Sequence, residues 1–197
     1  MVKRKLIAGL VPALFAVASL ANAQQAFYVK QIAEKKVAEL PAGELFWHLE
    51  TFDTKYQAQQ AAGPLGLVGE SAGKVWLFTL GPAGGASKGG TKVTEIGPVP
   101  RIDAKEYLLR INEAGGPQGS ATGAHTHPGS EAFYVIAGEL SQKTPHGLSK
   151  LGAGQSMVGH GTDTPIVVSN SGSGDLRELA LFIVNANRPF SSSAQLP

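Results

Sequence analysis

The chain has 197 residues and no cysteine. This absence excludes disulfides, zinc–thiolate sites, cysteine nucleophiles and haem attachment through sulfur. Stability must therefore come from the core, from subunit contacts or partly from bound metal. Charge is also scarce, at 16% of residues, and no run of Lys and Arg forms a phosphate-binding face, so nucleic acid is not expected as a partner. Apolar runs long enough for a membrane span are missing as well. The longest, Leu6 to Leu20, is interrupted by Pro12 and falls short of the ~20 residues a spanning helix needs.

That run has another reading. Lys3, Arg4 and Lys5 precede it and Ala21-Asn22-Ala23 ends it, the pattern of a secretory signal peptide over residues 1–23 with a new start at Gln24. No membrane span is expected after cleavage, and the expected compartment is the bacterial periplasm or the exterior. The formal net charge of +2 owes three cations to this leader; without them 14 basic side chains face 15 acidic ones.

Glycine and proline are plentiful, at 25 and 12 residues, more than helix interiors tolerate, and they separate short apolar or alternating runs. The pattern predicts an all-β chain with strands near residues 29–38, 45–51, 75–80, 92–96, 107–112, 124–127, 131–140, 155–158, 166–169 and 177–184. One short helix is expected over 54–62, capped by Asp53 and closed by Gly63-Pro64. The Gly-rich stretch 81–90 reads as a flexible loop between strands. With 43% hydrophobic residues, one sizeable core is expected.

Chemistry concentrates between Gly119 and Gly138. Residues two apart on a strand share a face, so His125 and His127 can present both imidazoles to one point while Thr126 turns away. Pro128-Gly129-Ser130 supplies a turn, and Glu131 opens the next strand within reach of that point. Two nitrogens and one carboxylate suit Fe, Mn, Ni, Cu or Zn, and two His plus one carboxylate with open positions is the pattern of non-haem iron oxygenases. Beyond Glu131, the inward Phe133 and Val135 alternate with Tyr134 and Ile136, so both faces of this strand need an apolar cover.

Gly119, five residues, His125-x-His127, three residues, Glu131, six residues, Gly138 matches every fixed position of the first cupin motif. The chain resembles the cupins, which implies a double-stranded β-helix, a jelly-roll-like barrel over residues 107–187. Residues 24–106 would supply extra flanking strands and 188–197 a surface tail. The second cupin motif is not matched: where the family places its fourth metal ligand, a histidine, this sequence has Thr164 or Pro165. Three readings stand: metal held by His125, His127 and Glu131 alone, metal completed by His160 from the turn Gly159-His160-Gly161, or a metal-free relic that binds a small organic ligand.

The remaining residues that stand out have simpler roles. His48 and His146 read as an edge-strand and a loop histidine, Trp76 and Phe78 as packing residues. Arg110 and Asn112 are candidates to face the barrel interior, where an arginine would clamp a carboxylate, although a solvent-facing arginine is the simpler expectation. No Ser-His-Asp set or paired carboxylates suggests another chemistry. Two functions follow: a metal-dependent, dioxygenase-like enzyme acting on a small molecule, or a non-enzymatic periplasmic protein that binds a small molecule or metal. The surplus of strands and the two apolar faces suggest a homodimer.

Overall fold

The computed structural model describes residues 26–196, so the predicted signal peptide lies outside the described residues. In chain order the elements are β1 (Tyr28–Val37), β2 (Phe46–Phe52), α1 (Lys55–Ala61), β3 (Gly66–Ser71), β4 (Lys74–Gly81), β5 (Thr91–Ile96), β6 (Tyr107–Gly116), β7 (His125–Thr126), β8 (Gly129–Ala137), β9 (Glu139–Thr144), β10 (Gly147–Gly152), β11 (Ser156–Val158), β12 (Val167–Asn170), β13 (Leu176–Asn185) and β14 (Ser192–Ser193). The all-β class, with one short helix among the described residues, follows the expectation.

A five-stranded sheet, ordered β1-β6-β13-β8-β11, forms the central layer, and every pairing in it is antiparallel. Strict alternation in β6, β8 and β13 splits their side chains between two faces. Phe133, Val135, Ala180, Phe182 and Val184 turn inward and pack with Leu140, Ile166 and Val168 of the facing β10-β9-β12 layer. Residues 120–126 extend that layer through backbone pairing of Thr122 with Val168 and of His125 with Ile166. The result is a double-stranded β-helix sandwich.

On the opposite face, Leu109, Ile111, Ala132, Leu179, Leu181 and Ile183 pack against Trp47, Leu49, Phe78 and Leu80. These belong to a separate four-stranded sheet, ordered β3-β4-β2-β5. Only β1 of the N-terminal half extends the barrel sheet itself; the rest forms a third layer. The second apolar face of β8 is therefore covered within the chain, so that face gives no reason for a partner subunit. Burial of each large side chain here, such as Trp47 or Phe78, contributes roughly 2–3 kcal/mol.

Several details differ from the sequence reading. The helix is capped by Thr54, one residue later than expected, through a capping box with Gln57. His48 lies on β2, a central strand between β4 and β5, and its Nε2–H donates to the Pro82 carbonyl at 2.9 Å. The 81–90 loop is anchored, because Ser87 N–H donates to the buried Glu50 carboxylate at 2.8 Å and Gly84 N–H to Glu95 at 3.1 Å. The C-terminal segment is anchored as well: β14 pairs with β7, and Arg188 makes a bidentate contact with Asp163.

Candidate metal and ligand site

The first motif runs from β7 through Pro128 into β8, and instead of the expected hairpin the two strands belong to different sheets, β7 paired with β14 and β8 with β13 and β11. Its glycines are explained by backbone geometry. Gly119 and Gly138 have left-handed φ values of 77° and 80°, and a Cβ at Gly138 would sit 2.6 Å from the Asp175 carbonyl. Gly129, expected as a turn residue, instead starts β8 so close to β13 that a Cβ would meet the Ile183 carbonyl at 2.1 Å. These contacts hold both ends of β8 against β13.

His125, His127 and Glu131 line one cavity of about 440 Å³. The two imidazole centroids are 5.0 Å apart and nearly perpendicular. His125 Nδ1 lies 2.8 Å from the Gly123 carbonyl and His127 Nδ1 lies 2.7 Å from the Phe190 carbonyl. A carbonyl only accepts, so both rings donate through Nδ1–H, and the tautomer compatible with that contact carries its lone pair on Nε2. His127 is packed between Phe182 and Phe190, with both centroids 4.7 Å away. Desolvation lowers its pKa to about 4, so the ring is neutral at pH 7.

Glu131 stands opposite Phe182 in the β8–β13 ladder, with its Oε1 accepting from Gln142 Nε2 at 3.2 Å. Burial pushes its pKa up to about 8. Its Oε2 approaches His127 Nε2 to 3.9 Å, and because both groups are neutral near pH 7 in this environment, the contact is a close approach rather than an ion pair. The donor types suit a divalent metal, since two imidazole lone pairs and one carboxyl are present. Among the described residues, however, no three His, Asp or Glu side chains converge into a group able to enclose an ion.

His160 does not line this cavity. Its ring lies 5.0 Å from His146, and its Nε2 is 3.3 Å from Thr144 Oγ1. A crevice of only about 10 Å³ touches His160, Thr164, His127 and Glu131 together. Near the place of the missing fourth ligand, Ile166 pairs with His125, so this part of the opposite layer brings a buried apolar side chain to the histidines.

Two further residues enter the site from strands distant in sequence. Asn112 on β6 lines the cavity, whereas Arg110 turns away, its Nε and Nη2 both donating to Glu34 Oε2, and lies 4.1 Å over the Phe190 ring. Glu178 on β13, which sequence reasoning missed, also lines it; burial and then the Glu131 charge push its pKa up to about 8. The available signal was a glutamate at the same parity as Ala180 and Phe182 in an otherwise apolar strand. The described residues lining the cavity carry no Lys or Arg, and its walls include Phe27, Phe133, Phe182 and Phe190.

No family model and no curated protein matches the chain. Two DMSP lyase structures, one of them DddQ from Ruegeria pomeroyi, align at 20% identity and TM-score 0.38 over 44% of this chain, which spans 44% and 43% of their lengths. A double-stranded β-helix protein from Klebsiella pneumoniae aligns at 20% identity and TM-score 0.38, over 44% of this chain and 75% of its own. A cupin superfamily protein from Desulfitobacterium hafniense gives 12% identity and TM-score 0.35, over 44% and 72%. The strand order and the inward histidine pair make this barrel a double-stranded β-helix, and Gly119, His125, His127, Glu131 and Gly138 keep the spacing by which the chain resembles the cupins.

Proposed function

We propose that this is an exported cupin whose cavity holds a divalent metal through His125, His127 and Glu131 and binds a small molecule beside it. The observation that carries this reading is the paired tautomer: two backbone carbonyls take both Nδ1–H groups and leave both Nε2 lone pairs for a ligand, the second-sphere arrangement typical of metal-binding histidines. Bound there, Fe, Mn, Ni, Cu or Zn would supply Lewis acidity or, for iron, oxygen chemistry of the dioxygenase kind. The chain's own contributions are distinct. Phe190 fixes the His127 tautomer and shields the ring, Gln142 holds the Glu131 carboxyl, and the aromatic walls give the cavity a largely apolar lining.

Metal analysis of chelator-free protein tests this directly: metal should be present and should fall to background in His125→Ala and His127→Ala. Retention in both variants would end the proposal. A second reading, a metal-free binding protein, is favoured by the absence of a converged ligand group among the described residues. It expects stabilisation by a small ligand with no product formed, and release of any product would remove it.

A further inference from the structure

The metal reading leaves Glu178 and Asn112 without a role. Asn112 pairs with Ala180 and Glu178 with Ala114, so the two side chains are diagonal neighbours on the inward face of β6 and β13. Between them lie Ala114 and Ala180, whose small side chains leave room in the cavity. Glu178 is 1% exposed and Asn112 4%, yet Glu178 Oε2 and Asn112 Oδ1 have no hydrogen-bond partner. Buried acceptors are nearly always paired, and leaving two unpaired side by side is costly. Glu34 takes Arg110, and Arg177 approaches Glu113 at 3.9 Å, so neither of these cations complements an anion at this wall.

We propose that Glu178 and Asn112 form a subsite that receives a hydrogen-bond donor, a hydroxyl or amine, carried by a small and largely apolar ligand. The aromatic and alanine walls contact the ligand's body, while the two unpaired oxygens take its donor and disfavour a carboxylate at that end. This subsite rests on the cavity being the ligand site, but not on a metal being present.

Three probes of one shape test it: cyclohexylmethanol, cyclohexylmethylamine and cyclohexanecarboxylate, titrated into chelator-treated and metal-loaded protein by calorimetry. The alcohol and the amine are expected to bind the wild type at least roughly tenfold more tightly than the carboxylate, as gain of a hydrogen bond at a buried, unpaired acceptor implies. Glu178→Met should abolish that preference. Glu178→Gln, which keeps an acceptor but cannot give up a proton to form an ion pair with the amine, should retain the alcohol and lose the amine. A purely structural role would change all three probes alike. Equal or tighter carboxylate binding, an unchanged preference in Glu178→Met, or no binding of any probe overturns the proposal. Donor preference in metal-free protein upholds the subsite even where no metal binds, and metal uptake without donor preference removes the subsite alone.

Discussion

Replacing Glu178 by glutamine should stabilise the metal-free protein at neutral pH, because folding buries a carboxyl that the unfolded chain leaves ionised. Burial raises the Glu178 pKa from 4.5 to about 8. A raised folded pKa contributes stability that is fully present below the unfolded value and is lost as pH climbs through the folded one. Holding the proton at pH 7 therefore costs about 1.4 kcal/mol for each pH unit above 4.5, or about 3 kcal/mol in all. Glutamine is similar in shape and carries no such cost. For a chain of this size the gain corresponds to a rise in melting temperature of roughly 6–12 °C at pH 7. Near pH 4 the two proteins should melt together. Circular dichroism melts of chelator-treated wild type and Glu178→Gln at pH 4, 7 and 8 read this directly. An unchanged melting temperature at pH 7, or an equal shift at all three values, would refute the claim that this carboxyl is buried by folding.

Other outcomes follow from the same structure. Gly138→Ala adds a Cβ 2.6 Å from a backbone carbonyl at a φ of 80°, so denaturant unfolding should show a loss of about 2 kcal/mol or more. Phe190→Ala uncovers the His127 ring while keeping the backbone carbonyl, so NMR titration should show its pKa rising from about 4 toward the ordinary 6.5. An unmoved value would show that Phe190 does not provide the shielding. Protein recovered from the bacterial periplasm should begin at Gln24 on N-terminal sequencing, and an intact Met1 in that fraction would contradict export through the first 23 residues.

What the sequence revealed about the site was local. Strand periodicity and close spacing keep His125, His127 and Glu131 near one another, so their shared cavity was readable without tertiary information, although the expected hairpin is a passage between two sheets. Asn112 and Glu178 reach that cavity from β6 and β13, whose register is set by sheet pairing and not by any neighbouring residue. The same limit explains the third layer. The alternating apolar faces of β8 called for cover on both sides, but nothing local distinguishes a second subunit from the chain's own β2–β5 sheet. Strand β10 was missed because its polar, mostly exposed Gly-Leu-Ser-Lys-Leu-Gly sequence resembles a loop and only Leu151 is buried. His48 was misplaced because β5, which converts its strand from an edge to a central position, follows the long Gly-rich connection.

The most direct measurement is elemental analysis of protein lacking residues 1–23, purified without chelator or histidine tag, with His125→Ala and His127→Ala alongside. About one equivalent of a single transition metal in the wild type, lost in both variants, is the result expected from the paired Nε2 lone pairs and the adjacent Glu131 carboxyl. A wild type that stays metal-free after incubation with each of the five candidate metals would contradict it, leaving a double-stranded β-helix cavity that binds its ligand by hydrogen bonds alone.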